Sequence, residues 1–524
     1  AVMPPKELRV PGMVWFLEKA MYGTRTASRL FGSYVIDSME DGGFRAIGWM
    51  PMAFSHPDLD VTCGVHGDDF LAEGIKESLD ALDVMMKKYF EVKVMPRIGP
   101  PEFGGEVSSG EHLKCTISWT AEGFTWAGNT KHVLDLMQIM GLTEETRGVD
   151  TPSSKDTGKG VRTCLDELDA DAAGKFRSGA GTLMYIAQDV IAVKQATAQV
   201  MQGMAAPLHM HELRLARCAR YLAKYPGEVW HYRYQNTPEA LDEICDSDWA
   251  GDLVTRKSTS CIIERYGNHV FDCTVSMQKP IALSSGEAEF YPIVKAGAHS
   301  VQTQGVLQAF GMGDVTIRIY SDSSAARGIV QRQGPGKLRH LDIKHLWIQD
   351  FVRRKKCEIL KVLTDVNWAD IGTKALTKAR LEELLAMMPI TRKEGLDWGV
   401  KACTALAFLA TLEVAEANNS LVVVESALTT TNEPNTTWKP RLIVALAAYM
   451  LVLHVLAVMT LLRGWSMLCG RRSVAVGDDL RTEATTGVQN LELEVNRVVT
   501  TNLLLDNRQQ AALLLAEFRN DQLR

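Results

Sequence analysis

Four acidic residues spread over residues 245–376 constrain this chain more than any other feature. Asp246 stands in CDSDWAGD, Glu289 in SSGEAEF, Asp322 in IRIYSDSSAA and Asp370 in NWADIGTKAL. The first setting reads as a short strand and the second as a helix behind a Ser-Ser cap. The third ends an alternating strand, and the fourth lies early in another helix. Carboxylates this far apart in sequence converge only if a folded core of sheet and helices gathers them. Once gathered they repel, so they need divalent cations, and oxygen-only ligands select hard ions such as Mg²⁺ or Mn²⁺. Two such ions about 3.5–4 Å apart are the usual machinery for in-line attack on a phosphodiester. Each acid alone has an ordinary structural explanation; the four jointly point to catalysis.

The flanking pattern predicts an α/β unit. Residues 240–250 read as a strand, and 259–276 as a hairpin turning at Tyr266-Gly267-Asn268. A third strand is expected at 279–283, then a helix over 285–311 that stops at Gly311. Val315, Ile317 and Ile319 alternate with polar residues, a strand with one buried face that delivers Asp322 at its end. Two helices follow, the second over 342–355, then a strand over 358–363 and the Asp370 helix. Local readings compete with catalytic ones. Asp246 and Asp248 are two apart on the presumed strand, so both point to one face and spacing does not choose between them. Ser284-Ser285-Gly286-Glu287 reads as a capping box, which occupies Glu287 and leaves Glu289 on a different helical face. Asp322 is also a good N-cap for the helix that follows. Pro292, soon after Glu289, kinks a helix beyond its first turn and bears on where Glu289 aims.

At 524 residues the chain has room for several domains, and its formal charge of −6 leaves nucleic-acid contacts to local basic patches. Two such patches stand out. Arg214, Arg217, Arg220 and Lys224 form one stripe on a predicted helix, and Arg353, Arg354, Lys355 and Lys356 close another helix. Phosphate tracking competes with a solvated helix face for the first, and with helix-dipole compensation for the second. His209 and His211 do not share a helical face, so no metal role is expected of them. The ten cysteines include no CxxC pair, which argues against a zinc module or disulfide framework and suits a reducing, intracellular compartment. The chain opens without a basic, then apolar, leader. Near its other end, residues 442–462 carry no formal charge between Arg441 and Arg463. That length matches a bilayer core, so a transmembrane helix is expected there, with a buried core helix as the alternative. Orientation stays open, and the sequons at Asn418 and Asn435 are read as chance. Residues 488–505 step by three and four in their mostly apolar positions, which predicts an amphipathic helix or short coiled coil.

Five phrases in order carry a family resemblance: CDSDWAGDLVTRKSTS, IALSSGEAEFYPIVKA, IYSDSSAARGIV, LRHLDIKHLWIQDF and NWADIGTKAL. Together they resemble the ribonuclease H domain of copia-type retrotransposon Pol polyproteins. The resemblance implies a ribonuclease H-like mixed five-stranded sheet with flanking helices over 238–385. It implies that Asp246, Glu289, Asp322 and Asp370 hold two Mg²⁺ or Mn²⁺ ions that serve to cut the RNA strand of an RNA–DNA hybrid, with Asp248 in support. A histidine aids product release in related nucleases; His340 and His345 are both candidates. Earlier in the chain, FLEKAMYGTRTASRLF and VTCGVHGDDFLAEG resemble two reverse-transcriptase motifs. The second would place Asp68 and Asp69 on the paired-aspartate hairpin of a polymerase palm, with His66-Gly67 in place of Tyr-Val. Thr26 and Ser28 replace the usual Gln and Pro of the first. The implied organisation is a partial palm and thumb over 1–150, a helical connection over 151–237, the nuclease, a linker over 386–440, a membrane helix over 441–463 and a charged tail over 464–524. The polymerase's third carboxylate belongs upstream of the first matched motif, so polymerisation is expected only of a longer precursor. The rival expectation is a decayed, non-enzymatic protein that binds nucleic acid or a membrane.

Overall fold

The computed structural model describes residues 9–10, 12–14, 20–21, 23–48, 50–154, 165–252, 254–398 and 419–425. The chain divides into two units, Ala1–His454 and Val455–Arg524, and every described residue belongs to the first. The expected transmembrane helix at 442–462 and amphipathic helix at 488–505 lie outside the described residues. Among those described, no helix is long and apolar enough to cross a membrane.

The described strands form three sheets within a mixed α/β architecture. The one that carries the candidate site has five strands in the order His269–Met277, Thr259–Tyr266, Ala240–Ser247, Thr316–Ser321, Cys357–Lys361. The first three pair antiparallel, and the last two join them in parallel. Ala240–Ser247, in the middle, is buried at every position, as a strand covered on both faces must be. Thr316–Ser321 shows the expected alternation, with Ile317, Ile319 and Ser321 buried. The hairpin turns on Gly267, at φ +60°, the first of two residues linking Tyr266 to its partner His269.

Two local expectations need correction. The strand expected at 279–283 is a loop, and the third strand is the hairpin's second arm, His269–Met277. Pro280 has no N–H to give a ladder, and Ile281 and Leu283 are 52% and 66% exposed. The strand expected to reach residue 250 stops at Ser247, and Ala250 turns the chain with φ +52°.

The helix Ser285–Ala309 spans 25 residues, about 37 Å at 1.5 Å per residue, and lies along this sheet. Ser284 caps it by accepting the Glu287 N–H at 3.2 Å. Its Phe290, Ile293 and Ala296 join Cys245, Ile317 and Ile319 in one apolar cluster. On another side the short helix Asp370–Thr373 lies so close that a Cβ at Gly372 would collide with Cys261 Sγ.

A six-stranded sheet contains the hairpin Val61–His66 and Asp69–Gly74, backed by helices Ala27–Asp41 and Lys76–Tyr89. The third sheet is antiparallel and runs Ile390–Lys393, Gly227–Arg233, Gly123–Ala127, Cys115–Thr120, Ser109–His112. It draws strands from segments before residue 150, before 237 and after 386, so it crosses the boundaries expected from sequence. Trp230, 1% exposed, sits in the large core that this sheet shares with helices Ala170–Ile186 and His209–Lys224.

Candidate metal centre

Asp246 lies next to the last residue of the middle strand, and Asp322 follows directly on its parallel neighbour, Thr316–Ser321. Glu289 comes from the second turn of the long helix. One carboxylate oxygen from each lies within 4.8 Å of the others. Asp322 is spared the capping role it competes for, because Ser323 caps the next helix by accepting the Ala326 N–H at 3.2 Å. Asp322 instead accepts a hydrogen bond from Thr364 Oγ1 at 3.1 Å. The fourth acid, Asp370, begins the short helix and is joined to Asp246 through Lys374. The Lys374 ammonium pairs with Asp370 and lies 3.6 Å from Asp246 Oδ1, while Arg380 Nη2 lies 3.4 Å from Asp370 Oδ2.

Burial sets the electrostatics. Asp246 is 1% exposed. Desolvation raises its pKa to about 6, against the pull of Lys374 and Thr373 and with help from Asp370 and Asp322. Glu289 is pushed to about 9, first by burial and then by Asp246 and Asp322. Thr373 Oγ1 donates to Asp246 Oδ2, and Asn367 Nδ2 lies 3.4 Å from Oδ1. The buried Oε2 of Glu289 accepts no hydrogen bond. An orphaned carboxylate oxygen facing two other acids, in an oxygen-only set, fits a hard divalent cation.

The long helix passes through Pro292 without ending. Pro292 has no N–H, so the Ala288 carbonyl loses its intrahelical donor. Gln278 Nε2 takes that place, 2.8 Å from Ala288 O, and it also lies 2.8 Å from Ser260 Oγ and 3.0 Å from Ser247 Oγ. Ala288 precedes Glu289 and Ser247 follows Asp246, so one amide ties the carbonyl beside one acid to the hydroxyl beside the other. Loss of such a supporting bond typically costs roughly 10–100-fold in metal affinity or activity, which is the loss expected for Gln278→Ala. Pro292→Ala restores an N–H for Ala288 and should recover part of that loss in the double variant. Mn²⁺ affinities measured across this double-mutant cycle would contradict this reading if the two effects simply added.

Other sequence candidates take different places. Asp248 lies beyond the strand end and accepts the Thr259 N–H at 2.5 Å, so it holds the loop and does not share a strand face with Asp246. Glu287 accepts from Leu283 N at 3.0 Å, from the Tyr291 hydroxyl at 2.9 Å and faces His340 Nε2 at 2.8 Å. His345 packs edge-on against Tyr291, with ring centroids 5.1 Å apart. Asp68 and Asp69 sit at the turn and strand start of their hairpin, where Asp69 pairs with His66. Neither belongs to a described group of side chains close enough to share an ion. The stripe on helix His209–Lys224 is engaged within the chain. Arg217 donates to Thr151 Oγ1 at 2.7 Å, Arg220 to Arg147 O at 3.0 Å, and Lys224 pairs with Asp150. It staples residues 147–151 to the helix, the structural alternative to phosphate tracking. Arg353 and Arg354 pair with Asp350, and Lys355 and Lys356 are exposed beside them. Lys374, Thr373, Asn367 and Gln278 escaped sequence reasoning. Only Lys374 carried a signal there, its i,i+4 spacing from Asp370.

Comparison with known proteins gives these residues a context. The chain is 24% identical over 270 residues to the retrovirus-related Pol polyprotein from transposon TNT 1-94 of Nicotiana tabacum, a match covering 50% of this chain and 20% of that protein. It is 26% identical over 220 residues to the Pol polyprotein from transposon RE1 of Arabidopsis thaliana, covering 42% of this chain and 15% of the other. An uncharacterized mitochondrial protein of Arabidopsis thaliana is 30% identical over 233 residues, 44% of this chain and 89% of that protein. The chain therefore spans a fifth or less of the length of these two polyproteins. No protein-family profile and no solved structure matches it. These relatives make the chain a homologue, at modest identity over about half its length, of retrovirus-related Pol polyproteins from copia-type transposons.

Proposed function

We infer that residues 238–385 form a ribonuclease H-like domain that hydrolyses the RNA strand of RNA–DNA hybrids with divalent metal ions. One observation carries this reading: Asp246, Glu289 and Asp322, from three separate elements, bring oxygens within 4.8 Å of one another, and Glu289 Oε2 is buried without a hydrogen-bond partner. The mixed five-stranded sheet with the long helix along it supports the same reading. Asp246, Glu289 and Asp322 would hold Mg²⁺ or Mn²⁺, with Asp370 completing the set. When bound there, two such ions supply activation of the attacking water and stabilisation of the leaving 3′ oxygen. Lys374 and Arg380 offset part of the acids' repulsion. We take the exposed Lys355 and Lys356 as contacts for a phosphate backbone. A polymerase reading lacks comparable support, because Asp68 and Asp69 gather no third carboxylate among the described residues.

The full chain, supplied with Mg²⁺, should cut the RNA of a labelled hybrid and leave single-stranded RNA and duplex DNA whole. EDTA should stop the reaction. An intact hybrid, or equal cutting of duplex DNA, would sink the assignment and favour the decayed, non-enzymatic alternative.

The raised carboxyls also set a pH dependence. A carboxyl whose folded pKa exceeds its unfolded value stabilises the fold fully below the unfolded pKa, and that contribution is lost as pH rises through the folded one. For Asp246 and Glu289 the losses run up to about 6 and about 9. The metal-free chain should therefore lose thermal stability between pH 5 and pH 9, on the scale of these shifts, and Mg²⁺ should offset the loss. Thermal scans should show Mg²⁺ raising Tm clearly at about pH 8 and little at about pH 5; an equal rise at both would contradict the site.

A further inference from the structure

A second polar cluster lies under the long helix, three residues along the middle strand from Asp246 and so on the opposite face of the sheet. Glu243 pairs in register with Glu264, and Glu264 with Asp272, across three adjacent strands. They are 0%, 0% and 5% exposed. His299 comes down on this row from the helix Ser285–Ala309. Its Nδ1 lies 3.7 Å from both Glu243 Oε1 and Glu264 Oε2, and its Nε2 lies 3.9 Å from Asp272 Oδ2. Glu264 Oε1 accepts from Thr303 at 2.9 Å. Glu243 is different: it is fully buried, no backbone, hydroxyl or amide donor reaches either carboxylate oxygen, and the side chain it meets is the Glu264 carboxyl. Burying such a group uncompensated is costly, and apolar side chains would serve a sheet-to-helix interface better.

We propose that Glu243, Glu264 and His299 bind one divalent transition-metal ion, of the Zn²⁺ or Mn²⁺ class, at a structural site separate from the Asp246 cluster. Their ligand atoms all lie within 4.8 Å of one another. The 3.7 Å separations exceed hydrogen-bond range. They come close to the spacing of neighbouring ligands around one ion, about 3–3.5 Å for bonds of about 2.0–2.2 Å. Asp272 faces the other ring nitrogen. At 3.9 Å its carboxylate is beyond hydrogen-bond range but favours the proton on Nε2, which leaves the Nδ1 lone pair turned toward the two glutamates; a carboxylate on that side is the support that metal-bound histidines commonly have. An imidazole among the ligands favours a borderline ion over Mg²⁺, in contrast to the oxygen-only set at Asp246. Lys295, whose Nζ donates to Ser276 Oγ at 3.0 Å, is a neighbouring cation and offsets one of three carboxylates. His299, with its side chain 16% exposed, gives the ion a way in. Such an ion pins the helix carrying Glu289 to the strand carrying Asp246. The site stands whether or not the other cluster cuts RNA.

The test uses the full chain, stripped with EDTA and titrated with Co²⁺ in excess Mg²⁺. One equivalent should give visible d–d absorption that Zn²⁺ displaces. Asp246→Asn should keep that signal; His299→Gln and Glu264→Gln should weaken Co²⁺ binding by at least about tenfold. A wild-type chain without Mg²⁺-resistant Co²⁺ absorption, or a His299→Gln chain that binds as wild type, overturns the proposal. Should either variant fail to fold, the wild-type chain decides: Zn²⁺ in excess Mg²⁺ should raise its Tm, and no rise means the cluster shares protons without a metal.

Discussion

Asp246→Asn should lower kcat/KM for hybrid cleavage by more than about 10²-fold while leaving the metal-free fold as stable as before, or more so. The first half follows from the geometry. Asp246 faces Glu289 and Asp322, and loss even of a bond that merely supports a ligand costs roughly 10–100-fold, so loss of the ligand's charge should cost more. The second half follows from burial. The carboxyl has a pKa raised to about 6, so near neutral pH its charge is held against desolvation and two neighbouring acids. Asparagine keeps the shape and removes that charge. Thr373 and Asn367 can still bond to it, while Lys374 retains Asp370 as its partner. Function and stability should therefore move in opposite directions, as at other strained polar sites. Kinetics and urea unfolding on the same sample test both halves. A variant that loses activity because it unfolds would not support the metal reading, and one that still cleaves would refute it.

Phe290→Ala should cost about 3–5 kcal/mol, a large share of the roughly 5–15 kcal/mol that holds a typical domain together. Phe290 is fully buried beside Glu289 and belongs to the cluster of Cys245, Ile317 and Ile319. Removing its ring leaves a cavity where the long helix meets the sheet, at the point that fixes the direction of Glu289. Leu283→Ala is the matched control. Leu283 is 66% exposed on the loop before the same helix, and its loss should stay within about 0.5 kcal/mol. Urea midpoints that failed to separate the two would show that the helix is not anchored where described.

How much of this was legible beforehand depended on the range of the physics involved. Ile317 and Ile319 announced their strand through alternation, and Ser284 announced a helix start through its capping chemistry, because both signals are local. The four acids were picked out by phrases around each of them. The faces they present were less legible. Asp248 read as a same-face partner of Asp246 because nothing in WAGD shows that the ladder stops at Ser247. Residues 279–283 read as a strand from Ile281 and Leu283, although Pro280 had already withdrawn one N–H. Gln278 was invisible. Its role exists only because Pro292, fourteen residues later in sequence, frees a carbonyl that the fold brings to it. The row of Glu243, Glu264 and Asp272 was hidden likewise, since cross-strand register follows from the Gly267 turn and not from any one strand.

The central claim is that Asp246, Glu289, Asp322 and Asp370 share a pair of ions. Anomalous diffraction from Mn²⁺-soaked crystals of the full chain tests it most directly. The account predicts two peaks about 3.5–4 Å apart among these carboxylates, with Glu289 Oε2 turned toward one of them. Well-ordered carboxylates with no anomalous peak between them would contradict it.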